Sequence, residues 1–223
     1  LNAGDYLMGI CFREVHAATR AENEPMFLDL FDEMYKKVTF GQHLDISFEN
    51  QSSVTTADYL GMISGKTVAL LRGAMQLGAV AARADAAVIR AIRDAGKKVG
   101  IAFQLQDDLL GIWGKVDDFG KSISSDITTK KMTFPILYGV ENSAEFAEFW
   151  AAYDGNADQV GKVADRLEAI GAHEATAARV IEESTAARKI LTDTLAQNEG
   201  GTDAQADRIA MLEIVDKLMT RDR

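Results

Sequence analysis

A chain of 223 residues with 47% apolar and 26% charged residues has the makeup of a folded globular protein, which argues against a disordered chain. Its 34 acidic residues against 24 basic ones leave a net charge of −10. That balance argues against non-specific binding to nucleic acid or anionic lipid, since both need basic patches. The single cysteine, Cys11, cannot form an internal disulfide and fits a reducing, cytoplasmic setting. No run approaches the roughly 18 apolar residues of a transmembrane helix.

Only two prolines interrupt the chain, and good helix formers dominate it, so the reading is all-α, as one helical domain over 1–223. A first helix runs from Asp5 to about Thr19, apolar in its first half, and residues 1–7 already read as the inside of a helix pair, so the N-terminus reads as truncated. Pro25 opens a second, with Phe27, Leu30, Phe31, Met34 and Val38 at helical spacing, to about Glu49. Thr56 or its neighbour caps a third that buries Tyr59, Leu60, Ile63, Val68, Leu71, Met75 and Leu77 and ends near Ala82. Asp85 caps a long fourth through Ile92, Val99, Phe103 and Leu110. Residues 114–125 read as a loop. Thr133-Phe134-Pro135 restarts a helix, and shorter amphipathic helices follow from Ala157, with breaks near Gly171 and at 198–201.

The informative stretch is Phe103-Gln104-Leu105-Gln106-Asp107-Asp108-Leu109-Leu110-Gly111. Gln104, Asp107 and Asp108 share one broad helical face. Carboxylates in apolar surroundings must be paired or bind a metal, and hard oxygen donors suit Mg²⁺, which takes one or two carboxylates and completes its shell with water and phosphate oxygens. Gly120-Lys121, Ser124-Ser125-Asp126, Lys130, Lys131 and Thr133 follow, cations and hydroxyls suited to the outer oxygens of a metal-bound diphosphate. Gly65-Lys66-Thr67 resembles the end of a Walker A loop, but the required upstream glycine is Leu60 and no strand precedes it. A P-loop is therefore rejected; a Lys and a Thr in mid-helix point to a polar cavity, with a snorkelling lysine as the alternative. Asp117-Asp118 and Glu182-Glu183 read as solvated pairs. His16, His43 and His173 lack zinc or di-iron spacing.

Together these residues resemble the trans-isoprenyl diphosphate synthases, the polyprenyl synthetase family. The likeness spans nearly the whole chain. It is strongest at Phe103-Gln104-x-x-Asp107-Asp108-x-x-Gly111, similar to that family's second aspartate-rich motif. Gly120-Lys121, Asp126, Lys131-x-Thr133 and Pro135 follow in matching order, with Asn2-Ala3-Gly4-Asp5, Gly41-Gln42-x-x-Asp45 and Lys66-Thr67 upstream.

The resemblance implies antiparallel helices around a deep central cavity. It implies Mg²⁺-assisted ionisation of an allylic diphosphate, followed by attack on isopentenyl diphosphate with loss of pyrophosphate. On this reading Asp107 ligates the metal and Asp108 supports it, while Lys66, Lys121 and Lys131 hold the diphosphate alongside Thr67. Gln104 and Gln42 line the cation's path as dipoles, and Phe103 and Leu77 belong to an apolar wall. A homodimer is implied through the helices around Asp5–Val38 and Tyr59–Ala82. Two departures stand out. Gly111 replaces the third aspartate common in the motif, and the first aspartate-rich motif would lie before Asn2-Ala3-Gly4-Asp5. The chain by itself would then hold half of the metal site and be inactive alone. The alternatives are a non-catalytic partner subunit of a heteromeric synthase, a class I terpene cyclase, or a purely structural bundle.

Overall fold

The computed structural model describes residues 2–48, 51, 53–114, 125–196 and 202–219, and among them every regular element is helical. The helices are α1 (Asn2–Glu22), α2 (Met26–Phe48), α3 (Thr56–Ile63), α4 (Ala69–Ala81), α5 (Ala86–Trp113), α6 (Ser125–Thr128), α7 (Phe134–Asn142), α8 (Ala144–Ala152), α9 (Val160–Ala169), α10 (Ala172–Ala196) and α11 (Thr202–Met219). The all-α reading is met. The caps fall where local chemistry puts them. Thr55 closes a capping box with Asp58, and the Asp85 carboxylate accepts from the amides of Ala87 and Val88. Pro135 sits in the first turn of α7, where its missing N–H has no intrahelical partner to lose.

Three expectations change. The helix read as continuous from Thr56 to Ala82 is broken by a wider π-helical turn, Ser64–Val68. The chain after Ala157 is not a set of short helices, since α10 runs 25 residues. Its length follows from packing along α5, against which Ala187 and Leu191 bury in one apolar cluster with Ala95, Val99 and Ala102. The break near Gly171 is real, with φ +82° at the start of α10, whereas 198–201 and most of the 114–125 loop, including Lys121, Asp117 and Asp118, lie outside the described residues.

The third change concerns Glu183. It is 1% exposed, not solvated, and its two carboxylate oxygens lie 2.8 Å from Lys98 Nζ of α5 and 2.8 Å from Arg179 Nη2. Both are charge contacts without hydrogen-bond geometry. The spacing that makes Glu182 outward puts its neighbour a third of a turn round, onto the α5 side. A buried carboxylate is tolerable only while paired, so Lys98→Met should lower stability by about 2 kcal/mol in chemical denaturation, less than a fully buried pair because Lys98 is 35% exposed. Unchanged stability would mean that Arg179 alone suffices.

Helix α5 is the centre of the molecule. α4 reverses through the turn 82–85 to pack along it, α10 lies on another side, and α7 and the π-helical turn also touch it. Its middle and C-terminal half therefore carry side chains that face several elements at once. α1 differs, with no buried residue; edge-on aromatic contacts of Phe12 with Phe31 at 5.0 Å and with Tyr35 at 6.1 Å help tie it to α2.

Candidate active site

The site starts from a close helix crossing. Gly41 of α2 and Gly65 of the π-helical turn meet backbone to backbone. A Cβ on Gly65 would lie 2.6 Å from the carbonyl oxygen of Lys37, and one on Gly41 would collide with the Lys66 amide. Only glycine on both sides permits the approach. The widened turn carries Lys66 and Thr67 themselves, and π-helical insertions of this kind are frequent at functional sites. It brings Lys66 Nζ to 2.5 Å from Asp45 Oδ2, with both groups partly buried.

One face of α5, at positions i, i+3, i+4 and i+7, presents Gln104, Asp107, Asp108 and Gly111. The two aspartates are not equivalent. Asp107 is exposed to the cavity, whereas Asp108 is 3% exposed and saturated with donors. Its Oδ2 accepts from the Tyr59 hydroxyl at 2.7 Å and the Phe134 amide at 2.9 Å, and its Oδ1 accepts from Gln104 Nε2 at 3.0 Å. Gln104 Oε1 in turn accepts from the Thr67 hydroxyl at 2.5 Å, so the amide is oriented from both ends. Burial pushes the Asp108 carboxyl up to about 6, partly opposed by its three donors and reinforced by the Asp126 charge. Burial and the Asp108 charge likewise raise the Tyr59 phenol well above its usual range.

The opposite wall comes from the segment between α6 and α7. Lys131 Nζ lies 2.9 Å from Asp126 Oδ1. Burial works against the Lys131 ammonium, but Asp126, Asp45 and Asp107 together raise it above its ordinary value, so it stays charged. A Cβ on Gly111 would strike Asp126 Oδ2, so the glycine that replaces a third motif aspartate opens the space that the Asp126 carboxylate fills. The Thr133 hydroxyl also lines the cavity, 5% exposed and without a hydrogen-bond partner.

Asp107, Asp108, Lys66, Gln104 and Lys131 thus surround one cavity. Thr67 stands one layer behind, bonded to Gln104. Three expected lining residues do not reach it. Gln42 is exposed on α2, because the face turned to the π-helical turn is that of Gly41, Asp45 and Phe48. Phe103 lies half-buried at the edge of the α5 face, and Leu77 is half-buried further along α4. The apolar wall comes instead from Phe48, Met62 and Met132. Tyr59, read only as core, is a donor to the buried aspartate; nothing local in its sequence distinguishes it from other apolar-face aromatics.

These features agree with comparisons to known proteins. Residues 1–170 match the family model described as Polyprenyl synthetase. The chain is 39% identical over 131 residues to a geranylgeranyl diphosphate synthase of Mycobacterium tuberculosis, covering 58% of this chain and 37% of that one. It is 31% identical over 179 residues to the (2E,6E)-farnesyl diphosphate synthase of the same species, covering 77% of this chain and 50% of that one. Among solved structures, a polyprenyl synthase from Caulobacter crescentus, complexed with calcium and isoprenyl diphosphate, superimposes with a TM-score of 0.83 at 27% identity, over 99% of this chain and 65% of that one. The chain thus spans half or less of the length of these two curated relatives. With its all-helical fold and its aspartate-lined cavity, the chain belongs to the polyprenyl synthetase family.

Proposed function

We propose that this chain forms the allylic-diphosphate side of a prenyltransferase that condenses an allylic diphosphate with isopentenyl diphosphate to give a longer trans-polyprenyl diphosphate. The observation that carries the reading is one cavity holding the carboxylates of Asp107, Asp108 and Asp126, the ammonium groups of Lys66 and Lys131, and the partnerless buried hydroxyl of Thr133.

The donor set fits Mg²⁺. Among the described residues no three acidic, histidine or cysteine side chains enclose a metal by themselves. Mg²⁺ asks for less, keeping most of its shell for water and phosphate oxygens around one or two carboxylates. Asp107, exposed and unconstrained by the Asp108 network, is the direct ligand, while Asp126 and Asp108 hold the local negative field. When bound, the metal ion neutralises charge that develops on the diphosphate leaving group.

The chain's own residues do the rest. Lys66 and Lys131 sit paired with Asp45 and Asp126, which keeps both ammonium groups aimed at the cavity before a diphosphate arrives. Thr133 can donate its hydroxyl proton to a phosphate oxygen. The Gln104 amide dipole, fixed between Thr67 and Asp108, faces the carbon end, and Phe48, Met62 and Met132 exclude water from it. Among the described residues no helix is long and apolar enough to cross a membrane. The exposed Tyr6 and Leu7 of α1 and Leu70 of α4 support pairing with a second copy through those helices, in a cytoplasmic enzyme.

The protein that carries this chain should elongate an allylic diphosphate with isopentenyl diphosphate only when Mg²⁺ is supplied, read as product chain extension. Turnover unaffected by chelation sinks the reading. Activity that appears only after mixing with a different subunit would favour the partner-subunit alternative.

A further inference from the structure

Lys130 has φ 52°, one of three non-glycine residues in the left-handed region among those described. It follows α6, where the Lys130 amide donates to the Ile127 carbonyl at 3.0 Å and the Lys131 amide donates to the Asp126 carbonyl at 2.9 Å. This pair of bonds is a Schellman closure with Lys130 at the position that glycine usually takes. A side chain there is strained by its Cβ, so something must hold it.

The holding contacts lie on α8. Lys130 Nζ donates to the carbonyl oxygens of Trp150 at 3.1 Å and Tyr153 at 2.5 Å, and sits 5.6 Å from the centre of the Trp150 ring. Those carbonyls close the C-terminal end of α8, where the helix dipole favours a cation, and Trp150 and Tyr153 are themselves buried. Gly155, at φ +86°, lets the loop after α8 come under the same turn, since a Cβ there would lie 2.7 Å from the Thr128 carbonyl oxygen. Adjacent lysines therefore divide the work. Lys130 reaches away from the cavity to α8, and Lys131 reaches into it to Asp126.

We propose that Lys130 is a positioning residue, whose ammonium clamps the 126–133 turn to the end of α8 and so fixes Asp126, Lys131 and Thr133 for a metal-bound diphosphate. The inference rests on the diphosphate reading of the cavity. It is tested by calorimetric binding of inorganic pyrophosphate with Mg²⁺ to the complete protein that carries this chain and to its Lys130→Met, Lys130→Gly and Lys130→Arg variants, with melting temperatures in parallel. Misplacing a binding group by a fraction of a bond length is costly, so the Met and Gly variants should bind about tenfold more weakly. Lys130→Gly relieves the backbone strain and should melt near wild type, which separates lost positioning from lost folding. Lys130→Arg keeps the cation at the helix end and should recover most of the loss. Wild-type binding matched by the Met and Gly variants overturns the clamp alone. Absence of wild-type binding overturns the diphosphate reading, and the clamp with it.

Discussion

Asp107→Asn should lower turnover of the complete synthase by about 10²–10³-fold while leaving its melting temperature unchanged. The side chain is exposed to the cavity and takes no part in the Asp108 hydrogen-bond network, so those buried hydrogen bonds do not depend on its charge. Stabilising a leaving diphosphate through a bound cation is worth several kcal/mol, and each ~1.4 kcal/mol is a factor of ten in rate. Asparagine keeps the shape and removes one full charge from the ligand set. The same substitution should weaken Mg²⁺-dependent pyrophosphate binding, which a merely structural role would not do. A variant with near-wild-type turnover would remove Asp107 from the metal site.

Asp108 should show the opposite pattern, a large effect on stability that depends on pH. Burial raises its carboxyl from 3.8 to about 6, so the folded protein favours the protonated form more than the unfolded chain does. The stabilisation that comes from the neutral form is complete below about pH 4 and is lost as pH rises through about 6. A rise of that size corresponds to roughly 3 kcal/mol. In the presence of a chelator, the stability of the wild type relative to Asp108→Asn should therefore fall by about 3 kcal/mol between about pH 4 and pH 7, as measured by denaturant unfolding. Other acidic groups titrate in both proteins and cancel in the difference. Adding Mg²⁺ with pyrophosphate should narrow the gap at neutral pH, because a bound cation favours the ionised carboxylate. A difference flat with pH would mean that the three donors already hold Asp108 charged at no net cost.

Both predictions start from adjacent aspartates that the chain alone makes look alike. Their pairing in one apolar helix was legible, as were Lys66, Gln104 and Lys131. What separates exposed Asp107 from buried Asp108 is the approach of Tyr59, about fifty positions upstream, and of the Phe134 amide from the start of α7. Lys66 shows the same limit. Its place in a helix could be read, but the π-helical turn that aims it depends on Gly65 meeting Gly41 of another helix. Gln42 fails for the converse reason. Its position in a motif-like string suggested the cavity, yet the Gly41–Gly65 contact sets which face of α2 turns inward.

The helices and their caps could be read from the chain alone, because 3.6-residue periodicity, Thr55 with Asp58, Asp85 and Pro135 all act within a turn or two of chain. The spacing of Gln104, Asp107 and Asp108 on one face belongs to the same short range. It took the packed helices to bury Glu183 between Lys98 and Arg179, to fill the space beside Gly111 with Asp126, and to turn Lys130 and Lys131 to opposite sides. These outcomes rest on which helices cross, and on the desolvation and pairing that a crossing imposes. Such interactions join residues far apart in the chain and leave no local period to read.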